Sequence, residues 1–203
     1  MLSIYNLKPK FQKLLLPLLD VFIKLGITPN HITISTLILS FVIGLIIFVF
    51  RDINWMILLL PIFLFVRMAL NALDGMLART KNMSTKLGEI LNEIGDVLSD
   101  IVLYLPLMLY VKESIMVYFI IIIFVILGII SEFCGVLAKA LVNNRRYDGP
   151  MGKSDRAFLV GVYGLIYFFY PQIKNCSAVI FSIACILLLV SSFNRLKGIL
   201  KHD

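Results

Sequence analysis

The sequence predicts an all-α integral membrane protein, with six transmembrane helices preceded by an amphipathic helix at the membrane interface. Three observations carry this. Hydrophobic residues make up 60% of the 203-residue chain and charged residues 15%, with a mean hydropathy of +0.97. Soluble domains run about 45–50% apolar and about 25% charged. Six apolar stretches, 31–50, 55–77, 87–110, 114–138, 157–171 and 176–194, approach or exceed the roughly 20 residues of a helical crossing. The connections between them are short, and backbone polar groups in hydrocarbon must bond internally, so the stretches read as helices. This composition excludes a soluble enzyme, a disordered chain and a disulfide-stapled secreted module.

In chain order, Phe11, Leu14, Leu15, Leu18, Phe22 and Leu25 repeat at helical spacing, with Lys10, Lys13, Asp20 and Lys24 opposite them. Residues 8–25 thus read as an interfacial helix, kinked at Pro17. No small-residue cleavage site follows a short apolar core, so the start is not expected to be a signal peptide. Thr28-Pro29 reads as an N-cap with proline at the first helical position, opening the first span. Arg51-Asp52 and Lys112-Glu113 mark tight turns. The fifth stretch is short, and Asp155 and Arg156 would extend it at the membrane surface. The whole chain, 1–203, reads as one membrane domain: 8–25 the surface helix, 28–203 the six-helix bundle.

The net charge of +7 is a topology signal. With six spans both termini share one side. The opposite side holds only Arg51, Lys112 and Lys174, and Arg67 lies within the second span. The remaining fifteen of the nineteen Lys and Arg residues fall on the termini's side. The positive-inside rule makes that side, with the 80–86 and 141–155 loops, cytoplasmic. No soluble basic face exists, so nucleic acid is not an expected partner. Cys134, Cys176 and Cys185 lack metal-ligand spacing and read as packing residues. His31, at a helix start, and His202, at the chain end, do not suggest catalysis.

Ionisable residues inside spans are functional candidates by default, and here they concentrate. The second stretch carries Arg67, Asn71, Asp74 and, at its end, Arg79. The third carries Glu89, Asn92, Glu93, Asp96 and Asp100, while Glu132 stands alone in the fourth. At 100° per residue Arg67, Asn71, Asp74 and Ala78 share one face, as do Asn92, Asp96 and Asp100, with Glu89 and Glu93 at its edge. A short antiparallel turn sets Asp74 level with Asn92, Asn71 with Asp96, and Arg67 with Asp100. Gly75, Ala78 and Gly88 leave room for a ligand or for close helix approach. Arg67 and Asp100 read as a structural ion pair. Burying the other acids together without cations would cost several kcal/mol each. A hard divalent cation on oxygen ligands, Mg²⁺, Ca²⁺ or Mn²⁺, answers that cost.

The residues Asn71-x2-Asp74-Gly75-x2-Ala78-Arg79, eight further positions, then Gly88-x3-Asn92-x3-Asp96 resemble the CDP-alcohol phosphatidyltransferases. That family's motif is Asp-x2-Asp-Gly-x2-Ala-Arg followed by Gly-x3-Asp-x3-Asp. The spacing is kept throughout, and Thr28-Pro29-Asn30-His31-Ile32-Thr33 looks like the family's entry to its first helix. The resemblance implies transfer of a phosphatidyl group from a CDP-linked lipid, usually CDP-diacylglycerol, to an alcohol acceptor, with release of CMP, in phospholipid biosynthesis. It implies Mg²⁺ or Mn²⁺ held by Asp74 and Asp96 with Asn71 and Asn92, and Asp96 as the base for the acceptor hydroxyl. Gly75, Ala78, Arg79 and Gly88 would meet nucleotide and phosphate. A homodimer in the cell (inner) membrane, with the site open to the cytoplasm, is implied likewise. Two departures stand out. Asn71 and Asn92 replace aspartates, leaving two of four carboxylates, and Glu93, by adjacency, is the candidate to restore the lost charge.

The segment 145–156 admits two readings: loop charge that sets topology and meets anionic lipid, or phosphate binding by Arg146, Lys153 and Arg156. Its Gly-Pro and Met-Gly steps are turns, and Ser154 or Asp155 is expected to cap the fifth helix. Competing functions for the acidic cluster are a degenerate family member without catalysis, an aspartate-rich membrane prenyltransferase and an ion-coupled membrane protein. The prenyltransferase needs two such motifs far apart. Helices broken in symmetrical pairs, expected of a transporter, are not seen in the sequence.

Overall fold

The computed structural model describes residues 8–111 and 114–201; the expected Lys112-Glu113 turn and His202 lie outside the described residues. Two short helices, α1 (Lys8–Leu14) and α2 (Leu16–Lys24), precede α3 (Pro29–Val49), α4 (Leu59–Thr80), α5 (Lys86–Tyr104) and α6 (Leu107–Tyr110). Three long helices follow: α7 (Ile115–Val142), α8 (Lys153–Phe169) and α9 (Ser177–Leu200). The segments Asn54–Leu58 and Pro171–Cys176 are 3-10 turns leading into α4 and α9.

Four of these segments are long and apolar enough to cross a membrane: Pro29–Val49, Asn54–Thr80, Ile115–Val142 and Pro171–Leu200. The expectation of six rested on apolar runs alone. Helix α5 has the length but carries Glu89, Glu93, Asp96 and Asp100, and α8 has only 17 residues. On α7, Phe119, Ile123, Ile126, Ile130 and Phe133 form an exposed stripe, and Val179, Ile183, Ile186 and Val190 do the same on α9. These alternating steps of four and three keep one helix face apolar and outward.

The third apolar stretch, expected to run unbroken through 87–110, stops at Tyr104 and resumes as α6. Pro106 is the reason, because it has no N–H for the carbonyl of Val102. That carbonyl turns toward α3, where a Cβ on Gly44 would overlap it. The glycine therefore admits the close α3–α5 crossing.

Helix α3 packs on both α4 and α5, α8 packs on α4, and α7 packs on α9 and α5. One core joins all six long helices, through Ile47, Leu60, Leu103, Phe124, Val160 and Phe181 among others. A second, smaller core lies under α1 and α2, where Leu15 and Leu19 meet Ile32, Leu73, Met76 and Leu77. The chain does break between α1 and α2, with Pro17 in the first turn of α2. The apolar face is split, however. Phe11, Leu15, Leu19 and Phe22 face the bundle, while Leu14, Leu18 and Leu25 are exposed.

Caps fix the helix entries that matter for the site. Thr28 Oγ1 accepts the His31 N–H at 3.3 Å, and the Thr28 N–H donates to His31 Nδ1 at 3.4 Å. His31 is thereby a capping residue. Thr85 Oγ1 accepts the Gly88 N–H at 3.0 Å and starts α5. At α8 the cap is Gly152, one of the turn glycines, rather than Ser154 or Asp155. Asp155 instead accepts the Gly152 N–H at 2.9 Å from the third helical position.

Candidate active site

Helices α4 and α5 meet in the register their spacing predicts at two levels. Arg67 Nη1 donates to Asp100 Oδ1 at 2.6 Å, and one turn on, Asn71 Nδ2 donates to Asp96 Oδ1 at 3.2 Å. Arg67 also reaches the Asp96 backbone carbonyl at 3.0 Å, tying the two rungs together. Asp74 and Asn92, the third expected rung, do not bond each other. Asp74 Oδ2 accepts from Thr33 Oγ1 of α3 at 3.1 Å, and the Asn92 carboxamide has no hydrogen-bond partner among the described residues.

These side chains open on a cavity of about 420 Å³ whose lining includes Arg67, Asn71, Asp74, Gly75, Arg79, Asn92 and Asp96. Phe11 and Gln12 of α1, with Leu64, Phe65 and Met68 of α4, supply a largely apolar wall. Arg145, Tyr147, Lys153 and Ser154 come from the α7–α8 connection and the start of α8. Lys153 forms an ion pair with Asp96 Oδ1. Asp96 Oδ1 thus takes the Asn71 hydrogen bond and the Lys153 and Arg67 ion pairs, while Oδ2 accepts no hydrogen bond among the described residues. Arg79 is exposed, beside Gly75, with no ion pair among the described residues. A Cβ at Gly75 would touch its guanidinium, at 3.4 Å.

Several expected site residues lie elsewhere. Glu93 does not line the cavity and is bound by Arg145. Gly88 is covered by Asn30, whose Oδ1 would lie 2.8 Å from an added Cβ, and neither it nor Ala78 lines the cavity. Arg146 pairs with Asp148 at 2.8 Å and packs on Gly198. Arg156, expected to hold phosphate, is 2% exposed. Its Nη2 donates to Asp100 Oδ2 at 2.8 Å and its Nη1 to Glu132 Oε1 at 3.0 Å. The guanidinium is fully occupied because two acids on α5 and α7 face it.

Glu132 is not solitary either. Its Oε2 accepts from Arg145 Nη2 at 3.0 Å, and Arg195 Nη1 lies 3.7 Å from Oε1. Arg195 and Arg156, counted in sequence among the loop charges, are helical and buried. The spacing also missed Thr33, Arg145 and Arg195 as neighbours of the site. Thr33 had a signal, since it sits one turn into α3, where its hydroxyl back-bonds to the Pro29 carbonyl at 3.1 Å. The arginines had none, because periodicity assigns a face and not the helix opposite.

Among the described residues no three His, Cys, Asp or Glu side chains converge as a metal cage. The oxygen set at the cavity is two carboxylates, Asp74 and Asp96, and two carboxamides, Asn71 and Asn92. Mg²⁺ is commonly held by one or two carboxylates completed by substrate phosphates. The donor set therefore fits one hard cation sharing its ligands with a phosphorylated substrate.

The bundle thus carries its acidic motif on two facing helices, and that motif lines a cavity that is apolar on one side and charged on the other. The chain belongs to the CDP-alcohol phosphatidyltransferase family, whose model matches residues 26–193. It is 48% identical over 199 residues to the inner membrane protein YnbA of Escherichia coli K12, covering 98% of this chain and 97% of that one. In fold it resembles the phosphatidylinositol phosphate synthase PgsA1 of Mycobacterium tuberculosis. The form solved with CDP-DAG bound aligns at TM-score 0.73 and 17% identity, over 90% of this chain and 92% of the other. The form with manganese and citrate aligns at 0.75 and 17%, over 90% and 87%.

Proposed function

We propose that this protein transfers the phosphatidyl group of CDP-diacylglycerol to an alcohol and releases CMP, as a phospholipid-building enzyme of the inner membrane. The observation that carries the reading is the placement of Asp74, Asp96 and Arg79 on one cavity, at the family's motif spacing, beside an apolar wall suited to acyl chains. Six crossings complete the topology, with α5 and α8 turning their charges inward and both termini cytoplasmic. The split apolar face of α1 and α2 grips the bundle on one side and lipid on the other.

In this reading the acceptor oxygen attacks the phosphatidyl phosphorus. The new O–P bond forms as the bond from that phosphorus to the CMP oxygen breaks, and the hydroxyl proton passes to Asp96 through Oδ2, the oxygen that accepts no hydrogen bond among the described residues. Lys153 and Asn71, both on Oδ1, orient the carboxylate for that transfer. Arg79 holds donor phosphate oxygens in its forked geometry. Asp74, Asp96 and the carbonyl oxygens of Asn71 and Asn92 would hold one Mg²⁺ or Mn²⁺, which supplies charge neutralisation at the pyrophosphate. Thr33 keeps Asp74 turned toward the cavity.

The test is the purified protein in bilayers with CDP-diacylglycerol, Mg²⁺ or Mn²⁺ and a panel of alcohols, with lipid products read by mass. The expected result is metal-dependent CMP release with one new lipid. No release with any alcohol, together with no bound metal, would overturn the proposal.

A further inference from the structure

We infer that the acceptor alcohol carries no phosphate, and that Glu132 is the residue that sets this preference; the inference rests on the transfer reading above. Three guanidiniums, from Arg145, Arg156 and Arg195, converge on one point at the charged end of the cavity. Forked arginine donors meeting at a point are how proteins hold phosphate. Here the point is already filled. Glu132 accepts from Arg156 at 3.0 Å through Oε1 and from Arg145 at 3.0 Å through Oε2, with Arg195 3.7 Å away. Glu132, Arg145 and Arg195 all belong to the cavity lining, so the carboxylate occupies the place an acceptor phosphate would need.

The charge balance points the same way. Arg67, Arg145, Arg156, Arg195 and Lys153 are held by four acids, Glu93, Asp96, Asp100 and Glu132. Each of the five cations already has an acid within 4 Å. Arg79 and a divalent cation are what remain for the donor pyrophosphate. A phosphorylated acceptor would bring about −1.5 to −2 further charge into a site whose other cations are already paired. Displacing Glu132 would leave a buried carboxylate without its partners, which is costly. An alcohol without net negative charge enters at no such cost.

Glycerol 3-phosphate and glycerol are suitable probes. Binding of labelled glycerol 3-phosphate to the CDP-diacylglycerol-loaded protein in bilayers is compared for the wild type and Glu132→Gln. Neutralising Glu132 is expected to strengthen that binding at least 10-fold, and wild-type CMP release is expected to favour the unphosphorylated alcohol at least 10-fold in kcat/KM. Glu93→Gln, which frees Arg145 at a more exposed position, is expected to give a smaller gain of the same sign and serves if the first variant does not fold. Wild-type binding of glycerol 3-phosphate as tight as in both variants would overturn the inference, as would faster release with the phosphorylated alcohol. The binding arm needs no turnover, so a protein inactive with every alcohol would sink the transfer reading while the binding comparison still decides this one.

Discussion

Glu89 and Asp100 lie on one helix, about three turns apart, and each holds a cation, yet they occupy opposite physical regimes. Along α5 the acids are paired in sequence: Glu89 with Lys139, Glu93 with Arg145, Asp96 with Lys153, Asp100 with Arg67 and Arg156. Side-chain exposure falls down that series from 60% to 29%, 14% and 9%. At the exposed end, water screens the pair and its net value is small. At the buried end, two guanidiniums and one carboxylate are desolvated together, and removing any member strands the others. Asp96 sits between these regimes. It is shielded enough to be held, and still lines the cavity. The lesson is that four similar acids on one helix differ in task because burial and the number of partners differ.

The largest expected effect tests Asp96. Asp96→Asn keeps the shape and removes the basic oxygen, so CMP release should fall about 10²- to 10⁴-fold, while the thermal midpoint stays near the wild-type value. A variant with near-normal turnover would remove Asp96 from the chemistry and break the comparison at its centre. Asp100→Asn should show the reverse pattern. It leaves Arg67 and Arg156 without their shared carboxylate, a loss of about 3–5 kcal/mol in stability. Thermal unfolding in detergent measures it, and activity per folded molecule should change far less than for Asp96→Asn. Glu93→Gln falls between, at about 1–2 kcal/mol, because Arg145 keeps Glu132 as a second partner.

Much of this ladder was legible in sequence, and the limit has a physical cause. Spacing of 100° per residue and a short turn are enough to pair Arg67 with Asp100 and Asn71 with Asp96, since both helices belong to one hairpin. They are not enough to say that α7 and α8 bring Glu132, Arg145 and Lys153 to the other side, because nothing local encodes which distant helix packs there. Arg156 and Arg195 were misread for a related reason. A basic residue at the end of an apolar run looks like an interfacial loop charge, and only the acids opposite reveal it as buried. Pro106 and Gly44 show the same limit in the backbone. Each is conspicuous alone, but the crossing they make together requires α3 and α5 side by side.

The smallest expected effect sharpens the exposed end. The Lys139–Glu89 contact, at 2.6 Å, is as short as Arg67–Asp100, so distance alone would rank the two as equals. Their surroundings say otherwise. Both partners at the outer pair are about half exposed or more, so each keeps most of its hydration and the pair must also fix two long side chains. Glu89→Gln should therefore cost between about 0 and 1 kcal/mol, with CMP release unchanged, and the difference should vanish near 1 M salt, where the screening length is about 3 Å. Asp100→Asn, enclosed by protein, should keep its full penalty at that salt concentration. A Glu89 variant with a salt-resistant loss of several kcal/mol would mean that the outer end of α5 is closed off as tightly as the inner one, and that burial does not divide the helix into the two regimes.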